Sequence, residues 1–388
     1  MRGRSPRASE GSGALQPGSF APDGRCRMLA MRALTDYDPE ELAAQFADWG
    51  CKPSHAARLL HAFYLGAGQV DLATLRLGKT LQSRLDRDIA LRQSHLVTRT
   101  RSADGTEKLV LGLARGGAVE SVLMLAHDNV RAAGCISSQI GCAMGCDFCA
   151  STRGGLERNL DAGEIVEQFL HLRQGARQLG RRLATIVFMG MGEPMHNLSN
   201  VMAAIRRIAL PGMGELGGRQ ITVSTVGIVP GIDALAAANL NVHLAISLHA
   251  PDDLTRQRIV PMTRRYGVAD IVAAARRFQD RTGRIVNMEY CLLSHINDSD
   301  DHARRLVELL RGFRAHVNLI PYNSIGPGLS GTEYQPPPPA RLRSFYGVLL
   351  QSDVVVHLRQ PRGDDVNAAC GQLRSMLAAS RPAWGSGG

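Results

Sequence analysis

Lysine is nearly missing from the chain. It occurs only at Lys52, Lys79 and Lys108, so arginine carries almost all of the positive charge. The net charge of +10 suits a polyanionic partner such as nucleic acid. An arginine bias of the whole genome explains the same excess, so charge alone leaves both readings open. No apolar run is long enough to cross a bilayer. The first residues lack the charged, apolar and small-residue order of a secretory signal. A cytoplasmic protein with no membrane partner is therefore expected. The cysteines do not show the even scatter of a secreted disulfide framework either. There are eight, and Cys142, Cys146 and Cys149 fall within eight positions, which points to metal binding in a reducing compartment. The chain has 388 residues, of which 44% are hydrophobic, enough for one large domain and one smaller one.

Residues 1–31 are rich in Gly, Ser, Pro and Arg without periodicity and read as a disordered tail, as do residues 376–388. Pro39-Glu40-Glu41-Leu42 is a capped helix start, and Leu42, Phe46 and Trp49 recur at helical spacing. Further helices are expected around Ala56–Leu65 and Leu81–Ile89, giving a small helical accessory domain over residues 32–92. Packing alone and RNA docking are both open as its purpose. Residues 93–130 alternate apolar and polar side chains and read as a linker of short antiparallel strands. Strand–helix alternation fills residues 131–375. Strands are expected over Gly134–Ile140, Ala184–Met189, Gln220–Thr225, Val242–Leu248, Ile285–Leu292, His316–Ile320 and Val354–Leu358. Helices such as Ala162–Gln174 and Asp300–Arg311 lie between them. This pattern predicts an α/β fold, a parallel sheet or barrel covered by helices, with the active site at the C-terminal ends of the strands.

The segment Cys142-Ala143-Met144-Gly145-Cys146-Asp147-Phe148-Cys149 is a C-x-x-x-C-x-x-C. Three thiolates on one loop can each bind one iron of a cubane cluster. A missing fourth ligand leaves one iron open to chelate the amino and carboxylate groups of S-adenosylmethionine (SAM). A closed zinc site wants four ligands in paired spacings, and the second pair is lacking. Phe148 is placed to shield the cluster. Met189-Gly190-Met191-Gly192-Glu193-Pro194 ends the second expected strand. Its glycines let backbone approach a ligand, and Glu193 can accept from an ammonium. Ser224, Ser247-Leu248-His249 and Asn323 fall on the same rim; each alone is unremarkable. Cys135 and Cys370, read without further context, are better explained as buried free thiols.

Together these residues resemble the RlmN/Cfr group of radical SAM RNA methyltransferases, over about residues 36–375. The resemblance rests on Cys135–Cys142 running into the cysteine loop, Gly155–Leu160 after it, Met189–Pro194, and the block from Arg362 to Leu373. It implies a partial (βα)6 barrel with an N-terminal helical accessory domain. It implies a 4Fe–4S cluster on Cys142, Cys146 and Cys149, and SAM contacts from Gly192, Glu193, Ser224, Ser247, Leu248, His249 and Asn323. It also implies a two-stage reaction. Cys370 takes a methyl group from one SAM; a second SAM is cleaved, and its radical activates that methyl for addition to adenine. Cys135 then attacks the sulfur of Cys370, releasing methylated RNA and leaving a disulfide. Glu120 aligns with the general base, at a spacing from Cys135 slightly longer than is usual in the group. The implied partners are 23S rRNA, tRNA and a reducing electron donor such as flavodoxin, acting on a monomer.

Arg362-Gly363-Asp364-Asp365 resembles the branch that methylates carbon 2 of adenosine. Asn367 stands where that branch often has Asp, which keeps carbon 8, the Cfr product, as the alternative. A non-catalytic iron–sulfur or zinc protein that binds RNA needs neither Cys370, Cys135 nor the Gly192-Glu193 pair. A methylthiotransferase needs three more grouped cysteines, and Cys26 and Cys51 are too scattered to supply them. Cys26, Cys51 and Cys291 match no motif and read as structural.

Overall fold

The computed structural model describes residues 31–360 and 362–374. The expected tails, apart from Met31, and Cys26 lie outside the described residues. The chain opens on three short helices, α1 (Pro39–Asp48), α2 (His55–Leu65) and α3 (Lys79–Asp88). Asp38 caps α1 by accepting from the backbone N–H groups of Glu40 and Glu41, and Glu41 accepts in return from Asp38 N. The apolar stripe of α1, Leu42 and Phe46, packs with Leu59, Leu60 and Phe63 of α2, all fully buried. Two short strands, β1 (Arg32–Ala33) and β2 (Ile89–Ala90), pair in parallel and tie the ends of this unit together.

Next come β3 (Ser94–Arg101), β4 (Glu107–Leu113), β5 (Ala118–Leu125) and β6 (Arg131–Cys135). A hairpin follows, β7 (Gln139–Gly141) with β8 (Leu156–Asn159), and its loop carries the three clustered cysteines. Then strands and helices alternate: α4 (Ala162–Gln178), β9 (Arg182–Phe188), α5 (Leu198–Ala209), β10 (Ile221–Thr225), α6 (Val229–Ala237) and β11 (His243–Ser247). The series continues with α7 (Asp253–Ile259), α8 (Val268–Thr282), β12 (Val286–Leu292), α9 (Asp300–Leu310), β13 (Ala315–Pro321), α10 (Pro339–Leu350) and β14 (Val355–Leu358).

One ten-stranded sheet results, ordered β14-β13-β12-β11-β10-β9-β6-β5-β4-β3. It is parallel from β14 to β6 and antiparallel from β6 to β3. Six βα units therefore precede a final strand, as the partial-barrel reading expects. Leu244, Ile246, Val286, Met288, Val317 and Leu319 are fully buried between the sheet and its helices. Each such side chain stabilises the fold by about 2 kcal/mol. Among the described residues no helix is long and apolar enough to cross a membrane.

Two sequence expectations change. The strands of residues 93–130 are not a linker, because β3, β4 and β5 extend the barrel sheet itself, and β4 is buried along its whole length. The single strand expected over Gly134–Ile140 is broken. Gln168 of α4 accepts from Ser137 N (2.8 Å) and donates to Ser137 O (2.9 Å), while the Ser137 hydroxyl donates to Glu120 O (2.7 Å). These bonds replace sheet pairing, so the chain leaves the sheet after Cys135 and carries the cysteine loop above the strand ends.

Candidate active site

Gly141 starts the cysteine loop in the left-handed region (φ 72°). A Cβ there would sit 1.9 Å from Gly155 O, so only glycine closes the hairpin. Cys142 N donates to that carbonyl at 2.9 Å. At the loop's centre Asp147 accepts from Ser330 N (2.7 Å), Ser330 Oγ (2.5 Å) and Tyr334 Oη (2.7 Å). Burial opposes its charge, yet these bonds hold its carboxyl below the usual range. Sequence reading did not single out Asp147, because its partners lie more than 180 residues away.

Cys142, Cys146 and Cys149 line one cavity of about 150 Å³, together with Phe148, Gly192, Glu193, Ser224, Ser247 and His249. Among the described residues no three His, Cys, Asp or Glu side chains converge as they would on a single metal ion. Three thiols lining one cavity can each take one iron of a cubane. Burial pushes all three thiols up, so they become thiolates only with cationic help. Bound iron would supply that help, and Arg256 supplies it to Cys146. Its guanidinium is 1% exposed and donates to Leu248 O (2.8 Å), Ser247 O (3.0 Å), Thr263 Oγ1 (2.8 Å) and Val226 O. No carboxylate hydrogen-bonds to it among the described residues. Burial lowers its pKa to about 10, partly offset by Cys146, so it stays a cation at neutral pH. A buried cation acting on the Cys146 thiol fits an anionic cluster. Sequence reading missed Arg256 as well.

The other expected SAM contacts divide. Gly192 (φ 97°) would press a Cβ to 2.5 Å from Gln139 Cβ, so glycine is required where this strand exit meets β7. The Glu193 carboxylate is already engaged, accepting from Met195 N (3.0 Å) and Val226 N (2.9 Å). Ser224 Oγ and Ser247 Oγ lie 3.5 Å apart. His249 Nδ1 accepts from Cys291 N (3.0 Å), and its ring stands edge-on to Phe148 at 4.8 Å. Burial, then Arg256, lowers His249 to about 3, so the ring is neutral with its proton on Nε2. The Leu248 side chain is fully buried and lines no part of this cavity; only its carbonyl joins the network, through Arg256. Asn323 lines a second, larger cavity of about 730 Å³ that fills the barrel interior.

Cys135 and Cys370 are free thiols and both line the larger cavity. Cys370 lines the cluster cavity too, as does Cys291. The Cys370 loop is pinned to the cysteine loop: Ala150 N donates to Gly371 O (2.7 Å) and Ser151 Oγ to Leu373 O (2.6 Å). Cys370 is exposed to these cavities, and partial loss of solvent there, then the negative charge of Glu289, raises its thiol. Glu120 stands apart from both cavities. It is 1% exposed, accepts from Arg374 N (3.0 Å), and lies 3.8 Å from Lys108 Nζ. Burial raises its carboxyl, with Lys108 opposing.

A model of the radical SAM superfamily matches residues 136–307. The chain is 51% identical over 343 residues to a protein of Opitutus terrae named a probable dual-specificity RNA methyltransferase RlmN 1, covering 88% of this chain and 97% of that protein. It is 39% identical over 371 residues to the dual-specificity RNA methyltransferase RlmN of Acidiphilium cryptum, covering 93% of each. The crystal structure of a radical SAM methyltransferase from Sphaerobacter thermophilus matches with a TM-score of 0.84 at 40% identity, covering 89% of this chain and 99% of that one. The chain therefore belongs to the RlmN family of radical SAM RNA methyltransferases, with SAM and a 4Fe–4S cluster as its cofactors.

Proposed function

We propose that the protein methylates carbon 2 of an adenosine in 23S rRNA, and in tRNA, with Cys370 as methyl carrier and Cys135 as resolving thiol. One observation carries this reading: Cys370 stands where the two cavities meet, on a loop bonded directly to the cysteine loop. Carbon 2 of adenine is electron-poor and does not attack the methyl of SAM, whereas a thiolate does. Cys142, Cys146 and Cys149 would hold the cluster, which would supply the electron for reductive cleavage of a second SAM.

The chain's own residues do the rest. Cys370 loses its proton as it takes the methyl, and presents the resulting thioether to the larger cavity. The 5′-deoxyadenosyl group released from the second SAM would take a hydrogen atom from the methyl, and the methylene carbon would bond to carbon 2 of adenine. The adduct's unpaired electron would return to the cluster as the ring proton leaves. Cys135 shares the cavity wall and attacks the sulfur of Cys370. The S–S bond forms as the S–CH2 bond breaks, and the carbon leaves with the electron pair and takes a proton. Glu120, raised by burial, suits the acceptor of the ring proton. Glu120 lines neither cavity and Arg374 N bonds one of its oxygens here, so this role requires a rearrangement that brings its carboxylate to the larger cavity.

Arg362–Asp365 is the ground for carbon 2 over carbon 8. RNA methylated by the reconstituted enzyme should yield 2-methyladenosine on nuclease digestion and chromatography. A product that is 8-methyladenosine alone would move the protein to the other branch.

A further inference from the structure

Strand β12 turns Asn287, Glu289 and Cys291 to one side, two residues apart. Asn287 lines the larger cavity, Cys291 the cluster cavity, and Glu289 both. Glu289 is therefore a carboxylate at the neck beside Cys370. It pairs in register with Asn318 of β13, whose Nδ2 donates to Glu289 Oε1 at 2.8 Å. That is the only hydrogen bond the Glu289 carboxylate makes among the described residues. Asn318 is 1% exposed and lines the larger cavity, and its Oδ1 is buried with no hydrogen-bond partner. A buried acceptor without a donor is costly. A ligand that brings N–H groups would complete the wall.

We infer that Glu289 and Asn318 are specificity-determining residues that bind the exocyclic amino group of the target adenine. The inference rests on the function proposed above. The second oxygen of Glu289 and Oδ1 of Asn318 both accept, and a 6-amino group offers two N–H donors. Guanine would set its carbonyl oxygen against two acceptors and be rejected. Arg359 and Arg362 also line the cavity and suit phosphate, and Arg359 is close enough to act by charge on both Glu289 and Cys370. A base extruded from RNA enters with its amino group leading toward Cys370. The adenine of SAM carries the same amino group. Asn318 lines the larger cavity and not the one bordered by Gly192, which favours the adenine of RNA.

The test uses an RNA hairpin with one unpaired adenosine, and the same hairpin with purine riboside, which lacks the amino group. Binding to cluster-loaded protein is read by fluorescence anisotropy, and SAM affinity is measured alongside. The native protein should prefer adenosine by about tenfold. Glu289→Gln and Asn318→Ala should each bring the ratio close to one while keeping cluster absorbance. A native ratio near one, or a full ratio kept by both variants, overturns the inference. So does weakened SAM affinity with the RNA ratio unchanged, which would assign the pair to SAM. A native protein that prefers adenosine but methylates no RNA would instead break the functional reading.

Discussion

Cys135 and Cys370 line one cavity although they lie far apart in the chain. Nothing local announces the second thiol: Cys135 is the last residue of a buried strand and, taken alone, is an ordinary core cysteine. Burial and the neighbouring Cys370 push its thiol up, so it attacks only as its proton leaves. With the cluster thiols committed to iron, Cys135 is the expected resolver. Cys135→Ala should still cleave SAM and add to RNA, then stall as a covalent protein–RNA adduct. On a denaturing gel the band should shift upward and return after ribonuclease treatment; free turnover would mean that another group, such as Cys291, resolves the intermediate. Arg256 and Glu289 were not legible in the sequence for a physical reason. Their meaning comes from carbonyls, amides and thiols on other strands, and no spacing along the chain encodes those meetings.

At the scale of elements, the strands with strong apolar runs were read to within a residue or two, for example β12 and β13. The break between β6 and β7 was not, because it depends on Gln168 bonding to Ser137 across 31 positions. Alternation also identified β3 to β5 as strands without saying which edge they pair with. The cysteine loop shows the same division: its spacing is local, its rigidity is not. Asp147 holds the loop through three bonds to the segment around Ser330 and Tyr334. Removing a charged acceptor costs about 1.5–3 kcal/mol per bond. Asp147→Ala should leave all three cysteines in place yet lose iron faster on exposure to a chelator, by about tenfold or more. An unchanged rate would show that the loop needs no such anchor.

Across the whole molecule, a buried carboxylate helps to join the helical unit to the barrel, beside bonds from Arg177 to Leu65 O and from Arg207 to Asp36 O. Glu167 of α4 accepts from Thr35 Oγ1 (3.1 Å), Gln93 N (2.8 Å) and the Ser94 hydroxyl, and His171 Nε2 lies 3.0 Å from that hydroxyl. Burial lowers His171 from 6.5 to about 4. Between those values the unfolded chain binds a proton that the native protein does not, so stability is lost as pH falls from about 6.5 toward 4. The loss is on the order of 3 kcal/mol. Denaturation at pH 7 and pH 4.5 should show a smaller decline for His171→Gln than for the native chain; equal declines would remove His171 as the cause. The central claim is that methyl carbon reaches RNA by way of Cys370. The most direct measurement loads Cys370 with 13C-labelled methyl, removes free label, and adds RNA, reductant and unlabelled SAM for a single turnover. The account predicts 13C in the methyladenosine and a matching loss from the peptide that contains Cys370. Unlabelled product with the label still on Cys370 would contradict it.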